Sequence, residues 1–260
     1  MQRCSKAGIA TNHVKISIIT ATWNCATTIG DCLDSVAGQS WANREHVVID
    51  GASRDATVDL LESRRAQLSV LVSEPDRGIY DALNKGIARA SGDVVGFLHA
   101  DDVYASPDVL ARVAEAFADP SVAAVHGDLQ YVRKDDTARV VRHWKSSPFS
   151  PGRLRRGWMP PHPTLYVRRE WYERIGGFDT RYRIAADYDS ILRLFSQPGF
   201  RSAYVPEVFV KMRMGGASNR SLKNIMRKSR EDLAALRRTG VGGVGALAWK
   251  NLGKVGQFWG

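Results

Sequence analysis

The chain has 260 residues, 44% of them hydrophobic, and a formal charge of +10. That is enough apolar material for one domain or two small ones, and no run of about 18 apolar residues is present to span a membrane. The three cysteines, Cys4, Cys25 and Cys32, are too few for a disulfide framework and suit a reducing compartment.

The opening segment "MQRCSKAGIATNHVK" lacks the apolar stretch of a secretory signal. Four short apolar runs follow: "KISIITA" (15–21), "EHVVID" (45–50), "LSVLVSE" (68–74) and "DVVGFLHA" (93–100). Near-continuous apolar strands of this kind belong to a parallel sheet covered on both faces. Between them "TIGDCLDSVAGQ", "DATVDLLESRRAQ" and "GIYDALNKGIARASG" read as helices. In the last, Ile79, Leu83, Ile87 and Ala90 form one stripe and Gly92 marks the stop. Strands alternating with helices imply right-handed crossovers, and such sheets bind ligands beyond the carboxyl ends of their strands.

The rhythm changes after residue 105. "SPDVLARVAEAFADP" is a helix opened by Ser106 and Pro107, and "AAVHGDLQYVR" and "ARVVRHWK" are strands with no helix between them. A loop rich in Pro, Gly and Arg (146–163) leads into "TLYVRR". "AADYDSILRLFSQPG" is helical, "EVFVKMRMGG" is a late strand, and from Ala217 the chain is basic and helical. No internal repeat or low-complexity block is present.

Polar groups follow each of the first four strands. Thr20, Thr22 and Asn24 follow the first, Asp50, Ser53 and Asp55 the second, Asp76, Arg77 and Gly78 the third, and Asp101 and Asp102 the fourth. Taken singly, Asp50 and Asp76 suit turns and Asp55 suits a helix cap. Taken together at one sheet edge, they predict a site. Adjacent carboxylates repel, more so when desolvated, so the pair at 101–102 either faces water or meets a positive partner such as a metal ion.

"SIITATWN", "VVIDGASRDAT", "SEPDRGIYDALNKGIARASGDVVGFLHADD", "PHPTLYVRREWYERIGGFD" and "RIAADYD" together resemble, over about residues 15–215, a family 2 glycosyltransferase of bacterial surface-polysaccharide biosynthesis. The resemblance implies an α/β chain with a single GT-A domain, a Rossmann-like nucleotide-diphospho-sugar transferase fold with a mixed, mainly parallel sheet. Its expected parts are a tail at 1–14, a nucleotide-sugar half at 15–104, an acceptor half at 105–215 and a basic helical extension at 216–260. It also implies that Asp50, with Thr20 beside it, meets the base of the donor. Asp101 and Asp102, with Ala100 between His99 and the pair, become the ribose and metal motif. A Mn²⁺ or Mg²⁺ ion there would offset charge on a diphosphate leaving group. Where many relatives carry an acid or Asn, two positions before the pair, this chain has His99, which supplies no such negative charge at neutral pH.

Inverting transfer needs a carboxylate to take the acceptor's proton, and the resemblance places it at Asp187, with Asp189 supporting structure. Arg77 and Lys85 are candidates for the diphosphate, although Lys85 is also an ordinary helix lysine. His162 in "PPHPT" matches a histidine that helps hold the leaving diphosphate, or it is structural. Asp179 in "GGFD" reads as a turn residue.

The expected donor is a nucleotide-diphospho-sugar, foremost a UDP-sugar, and the expected acceptor a polysaccharide or lipid-linked oligosaccharide. In the C-terminal segment Val244, Ala248, Leu252, Val255 and Trp259 are spaced three or four apart, with Lys250 and Lys254 pointing elsewhere and Phe258 suited to a headgroup region. That pattern predicts a weak interfacial helix, hence a cytoplasmic protein peripheral on the inner membrane's cytoplasmic face. A helix docked on its own domain, or a homo-oligomer contact, is the alternative. Nucleotidyl transfer is a second enzyme reading, opposed by "AADYD" and by the lack of a "GxxxxGK" loop. The positive charge also fits a nucleic-acid-binding protein, but acids interrupt the basic stretch "YVRKDDTARVVRHWK" and no binding motif appears, so no nucleic acid is expected.

Overall fold

The structure is a computed structural model and describes residues 14–215 and 222–252. The apolar runs of the first half form β1 (Ile16–Thr22), β2 (Arg44–Asp50), β3 (Val70–Ser73) and β4 (Val94–Phe97). Helices α1 (Ile29–Ala37), α2 (Thr57–Ser63) and α3 (Ile79–Arg89) connect them. β1 pairs in parallel with β2 and β4, and β2 with β3, so all four strands point the same way.

The second half adds β5 (Val103–Tyr104), α4 (Val109–Ala116), β6 (Ala124–Val132), β7 (Val140–Trp144), α5 (Pro151–Arg155), β8 (Tyr166–Arg168), α6 (Arg169–Ile175), α7 (Ala186–Phe195) and β9 (Ser202–Arg213). The nine strands make one sheet in the order β3-β2-β1-β4-β8-β6-β9-β5, with β7 paired to β6. β8 runs antiparallel to both β4 and β6, and so joins the parallel half to the mixed half.

Apolar side chains alternate across β1 and feed two cores. Ile16 and Ile18 pack with Leu33 of α1 and Val113 of α4, while Ile19 packs with Leu83 of α3 and Tyr188 of α7. The α3 stripe is rotated from the sequence expectation. Ala82, Leu83 and Gly86 are buried and Ile79 is 44% exposed. Gly86 explains the rotation, because a Cβ there would lie 2.4 Å from Ile19, so the helix sits closer to β1 than any other residue would allow.

The C-terminal helices α8 (Leu222–Arg238) and α9 (Val244–Leu252) dock on the α7 side. Ala235, Leu236 and Ala246 enter the core there, and burial of a leucine is worth about 2 kcal/mol. Gly157 lets α9 approach, since a Cβ on it would meet the Ala246 carbonyl at 2.4 Å. Lys250 of α9 is only 7% exposed, whereas Val244 and Trp249 face outward at 63% each. The Val244 side of the expected stripe is therefore exposed, and Lys250 points into the protein. Val255, Trp259, Lys254 and Phe258 lie outside the described residues. No helix among the described residues is long and apolar enough to cross a membrane.

Candidate active site

The carboxyl ends of β1 and β2 are tied together by Asp50. Its Oδ1 accepts the hydroxyls of Thr22 (2.9 Å) and Ser53 (2.5 Å), and its Oδ2 accepts the Ser53 N–H (2.9 Å) and the Ser73 hydroxyl (2.7 Å). Burial alone would raise its pKa, but the hydrogen bonds from Ser53, Ser73 and Thr22 outweigh that and hold it below the usual carboxylate value. Asp50 thus has no exposed surface and both its oxygens are satisfied from within the chain, so it acts here as the tie between the loops after β1 and β2. Thr20 lies beneath this layer, with no exposed surface, and its hydroxyl is 2.9 Å from His46 Nε2. It is a core contact on the side of β1 that faces α1.

Asn24 holds a left-handed conformation (φ 47°). It links the two loops by donating its N–H to Ser53 Oγ at 2.8 Å and accepting the Arg54 N–H at 2.8 Å. Asp55 accepts from the Thr57 N–H and hydroxyl at the start of α2 and from the Ala26 N–H after β1, while the N-cap position itself is Ala56. Asp76 accepts the Gly78 N–H at 2.8 Å, and Gly78 has φ 118°, which a Cβ would strain. Arg77 pairs with Asp81 at 2.9 Å and Lys85 with Glu74 at 2.9 Å, so both cations are engaged within their own segment. Trp23, which sequence reasoning passed over, is 68% exposed beside Gly51 at this edge. An exposed indole next to polar loops was its only signal.

At the end of β4, the Asp102 N–H donates to the His99 carbonyl at 2.9 Å, forming a tight turn around Ala100 and Asp101. Asp102 is 1% exposed; its Oδ1 accepts the Arg213 N–H at 3.2 Å and its Oδ2 has no partner. Burial first and the Asp101 charge second push its pKa well above the carboxylate range. Arg213, at the end of β9, donates Nη1 to the Asp101 carbonyl at 2.8 Å and pairs with Asp31. Arg213, which no motif announced, is therefore the cation beside the aspartate pair, but its guanidinium holds the Asp101 carbonyl and Asp31 and pairs with neither carboxylate of the pair.

His99 is half-buried. Burial lowers its pKa while the nearby Asp101 and Asp187 work in the opposite sense. Its ring lies 6.2 Å from that of His162, which stacks on Phe97 and has an unpartnered, buried Nε2. Burial takes the His162 pKa down to about 4, so that ring is neutral at pH 7. The two histidines bridge from the strand-four acids to Asp187.

Asp187 stands in the first turn of α7. Its Oδ1 accepts the Tyr188 N–H at 2.8 Å and lies 3.4 Å from the Tyr80 hydroxyl, which donates to the Ile184 carbonyl at 2.7 Å. Its Oδ2 has no hydrogen bond among the described residues. Burial would raise its pKa, but His162, Lys228 and Lys250 bring it below the usual value. Burial also takes the Lys250 pKa down to about 7, so its share of that effect fades as pH rises past neutrality. Lys250 sits 3.1 Å from the Tyr188 ring centroid and pairs with Asp232 at 2.9 Å. Asp189 is enclosed by Arg193 (2.7 Å) and Arg238 (2.8 Å), so it supports structure. Asp179 pairs with Arg181 and Arg238.

No group of three or more His, Cys, Asp or Glu side chains arranged to hold a metal ion occurs among the described residues. The unpartnered Asp102 Oδ2 and the Asp101 carboxylate, which makes no side-chain hydrogen bond among those residues, are nevertheless oxygen donors of the kind a hard divalent cation takes. Two carboxylates are fewer ligands than such an ion needs, so phosphate oxygens and water would complete the set.

A mainly parallel sheet with acids at the carboxyl ends of its first four strands, extended through an antiparallel strand into a mixed half, is the architecture of GT-A glycosyltransferases. The family model "Glycosyl transferase family 2" matches residues 17–184, and the chain belongs to that family of glycosyltransferases. It is 33% identical over 207 residues to a PGL/p-HBAD biosynthesis glycosyltransferase of Mycobacterium bovis, covering 78% of each chain. Among solved structures it resembles a mannosyltransferase from Pyrobaculum calidifontis in complex with GDP-Man and Mn²⁺ (TM-score 0.64, 24% identity, 86% of this chain and 64% of that one). It also resembles S. aureus TarS 1-349 in complex with UDP-GlcNAc (TM-score 0.66, 18% identity, 87% of this chain and 66% of that one). The chain thus spans less than two thirds of the length of these two neighbours, and at such identities the likeness is one of fold.

Proposed function

We propose that the protein is a metal-dependent, inverting glycosyltransferase that moves a sugar from a nucleotide-diphospho-sugar, foremost a UDP-sugar, to a hydroxyl of a lipid-linked or polysaccharide acceptor. The observation that carries this reading is Asp187, an ionised carboxylate whose Oδ2 makes no hydrogen bond among the described residues and whose charge, like that of Asp101, acts on His99.

Trp23 offers the donor base a stacking face, and Asp50, Thr22, Asn24 and Ser53 fix the loops that frame it. Asp101 and Asp102 would hold Mg²⁺ or Mn²⁺ together with the donor's phosphates, and the ion, when bound, offsets the charge of the departing diphosphate. Asp187 Oδ2 accepts the proton of the acceptor hydroxyl as its oxygen bonds to the anomeric carbon and the bond from that carbon to the phosphate oxygen breaks. His99 and His162, kept neutral by burial, line the space between and present ring nitrogens to the sugar or its phosphate. Donor complexes of two fold neighbours support the nucleotide-sugar class.

The outward side chains Ile225, Met226, Val244 and Trp249 support peripheral attachment at the cytoplasmic membrane face. A thermal-shift screen of UDP-, GDP- and dTDP-sugars with Mn²⁺ tests the reading. One nucleotide class should raise the melting temperature and chelator should reverse the rise; no response to any donor would sink it.

A further inference from the structure

Two cavities open on the face covered by the C-terminal helices, and their charges differ. The larger, of about 540 Å³, holds Arg181, Arg193 and Arg238, and each of these pairs with Asp179 or Asp189. It is an ion-pair network that anchors α8. The smaller, of about 280 Å³, is lined by three indoles, Trp144, Trp158 and Trp249, and by Lys145, Arg153 and Arg156.

No carboxylate lines the smaller cavity, and among the described residues none forms an ion pair with Lys145, Arg153 or Arg156. Cations gathered without an acid repel one another and favour an incoming anion, and the two guanidinium forks match phosphate oxygens. Ser146 Oγ on the same lining is buried without a partner, which leaves a hydroxyl to donate. The indoles offer apolar faces, and Trp249 is 63% exposed, far more than a packed core tryptophan. Lys250 closes the wall toward α7, with its ammonium against Tyr188, the residue after Asp187.

We infer that this cavity is a binding site for a phosphate or diphosphate ester with an apolar body, the basic side chains taking the phosphate and the tryptophans the body. Its position behind Tyr188 makes that molecule the acceptor's carrier end. That the occupant is the acceptor rests on the transferase reading; that the cavity binds it does not.

Calorimetric titration of the full chain with geranyl diphosphate, inorganic diphosphate and geraniol, in separate arms and without nucleotide or metal, tests the site. Geranyl diphosphate should bind at least tenfold more tightly than either part. Arg156→Gln and Trp249→Ala change exposed side chains, so the fold should survive, as circular dichroism would verify. Each should weaken binding at least fivefold, while Arg112→Gln on α4, an equal loss of charge elsewhere, should not. Inorganic diphosphate binding as tightly as the ester would overturn the inference, as would unchanged affinity in both cavity variants. Competition by UDP would also overturn it, since the signal would then belong to the donor cleft. Because no sugar donor is present, a chain unable to use any donor would still give a clear result.

Discussion

Glu231 of α8 holds Ile184 from outside the helix that carries Asp187. Its Oε2 accepts the Ile184 N–H at 2.8 Å and those of Arg183 and Ala185 at 3.1 and 3.0 Å. Ala185 at the helix start offers no capping side chain, so a carboxylate from another helix satisfies these donors and meets the positive end of the helix dipole. Glu231→Ala is expected to cost about 2 kcal/mol in urea denaturation, the order of a hydrogen bond to a charged group. It should also lower kcat about tenfold or more with donor KM little changed, because the loop before Asp187 loses its anchor. Glu231→Gln, which keeps an acceptor oxygen, should recover part of both. Equal losses of donor and acceptor affinity would point to general misfolding instead.

Asp187→Asn preserves shape and removes the proton acceptor. Transfer to acceptor should fall by about 10²- to 10⁴-fold while donor binding by thermal shift stays within a factor of two. Wild-type turnover in this variant would end the assignment of Asp187 as base.

Asp102 has a folded-state pKa raised above its unfolded value, so the folded chain holds this proton more tightly, and stability falls as pH rises above about 4 through the folded pKa. Asp102→Asn removes that penalty. Without ligands, the variant should be more stable at pH 7.5 by about 1–3 kcal/mol and should lose metal-dependent donor binding. An unchanged or lower urea midpoint would show that the carboxylate is not strained in the ligand-free protein.

Three buried imidazoles set the acid limit. Burial depresses the pKa values of His126 and His162 to about 4, and burial with the Arg44 charge takes His46 to about 3. The unfolded chain takes up these protons near pH 6.5, so stability is complete above that pH and declines below it. The slope is up to about 1.4 kcal/mol per pH unit for each histidine. Urea midpoints between pH 7.5 and 4.5 should decline before carboxylates titrate, and His126→Phe should flatten the slope by one histidine's share. A profile level down to pH 5 would contradict this.

The first four strands were legible because continuous β-branched runs have few other uses, and the acids at their ends inherit a common edge from parallel pairing. Asp189 was also legible as a supporting residue. Arg213 was not, since it meets Asp102 across more than a hundred residues at the end of a strand whose first part, "SAYVPE", lacks an apolar run. Helices α5 and α6 were hidden in a Pro- and Gly-rich loop and in "REWYERI", each too short for a periodic pattern. Lys250 read as a surface lysine because a buried ammonium runs against every sequence prior. Only Asp232 and the Tyr188 ring make it tolerable. Thr20 looked like its neighbour Thr22 until the pairing with His46 turned it to the core.

The family model stops at residue 184, three positions short of Asp187, and two of the three charges that lower the pKa of this carboxylate, those of Lys228 and Lys250, come from helices later still. A chain cut at that boundary would lack Asp187 and the two lysines near it, and on the proposed reading it would take up donor without transferring the sugar. On the proposed reading, changes confined to α8 and α9 would reach the acid strength of Asp187 without touching the strands that the donor meets.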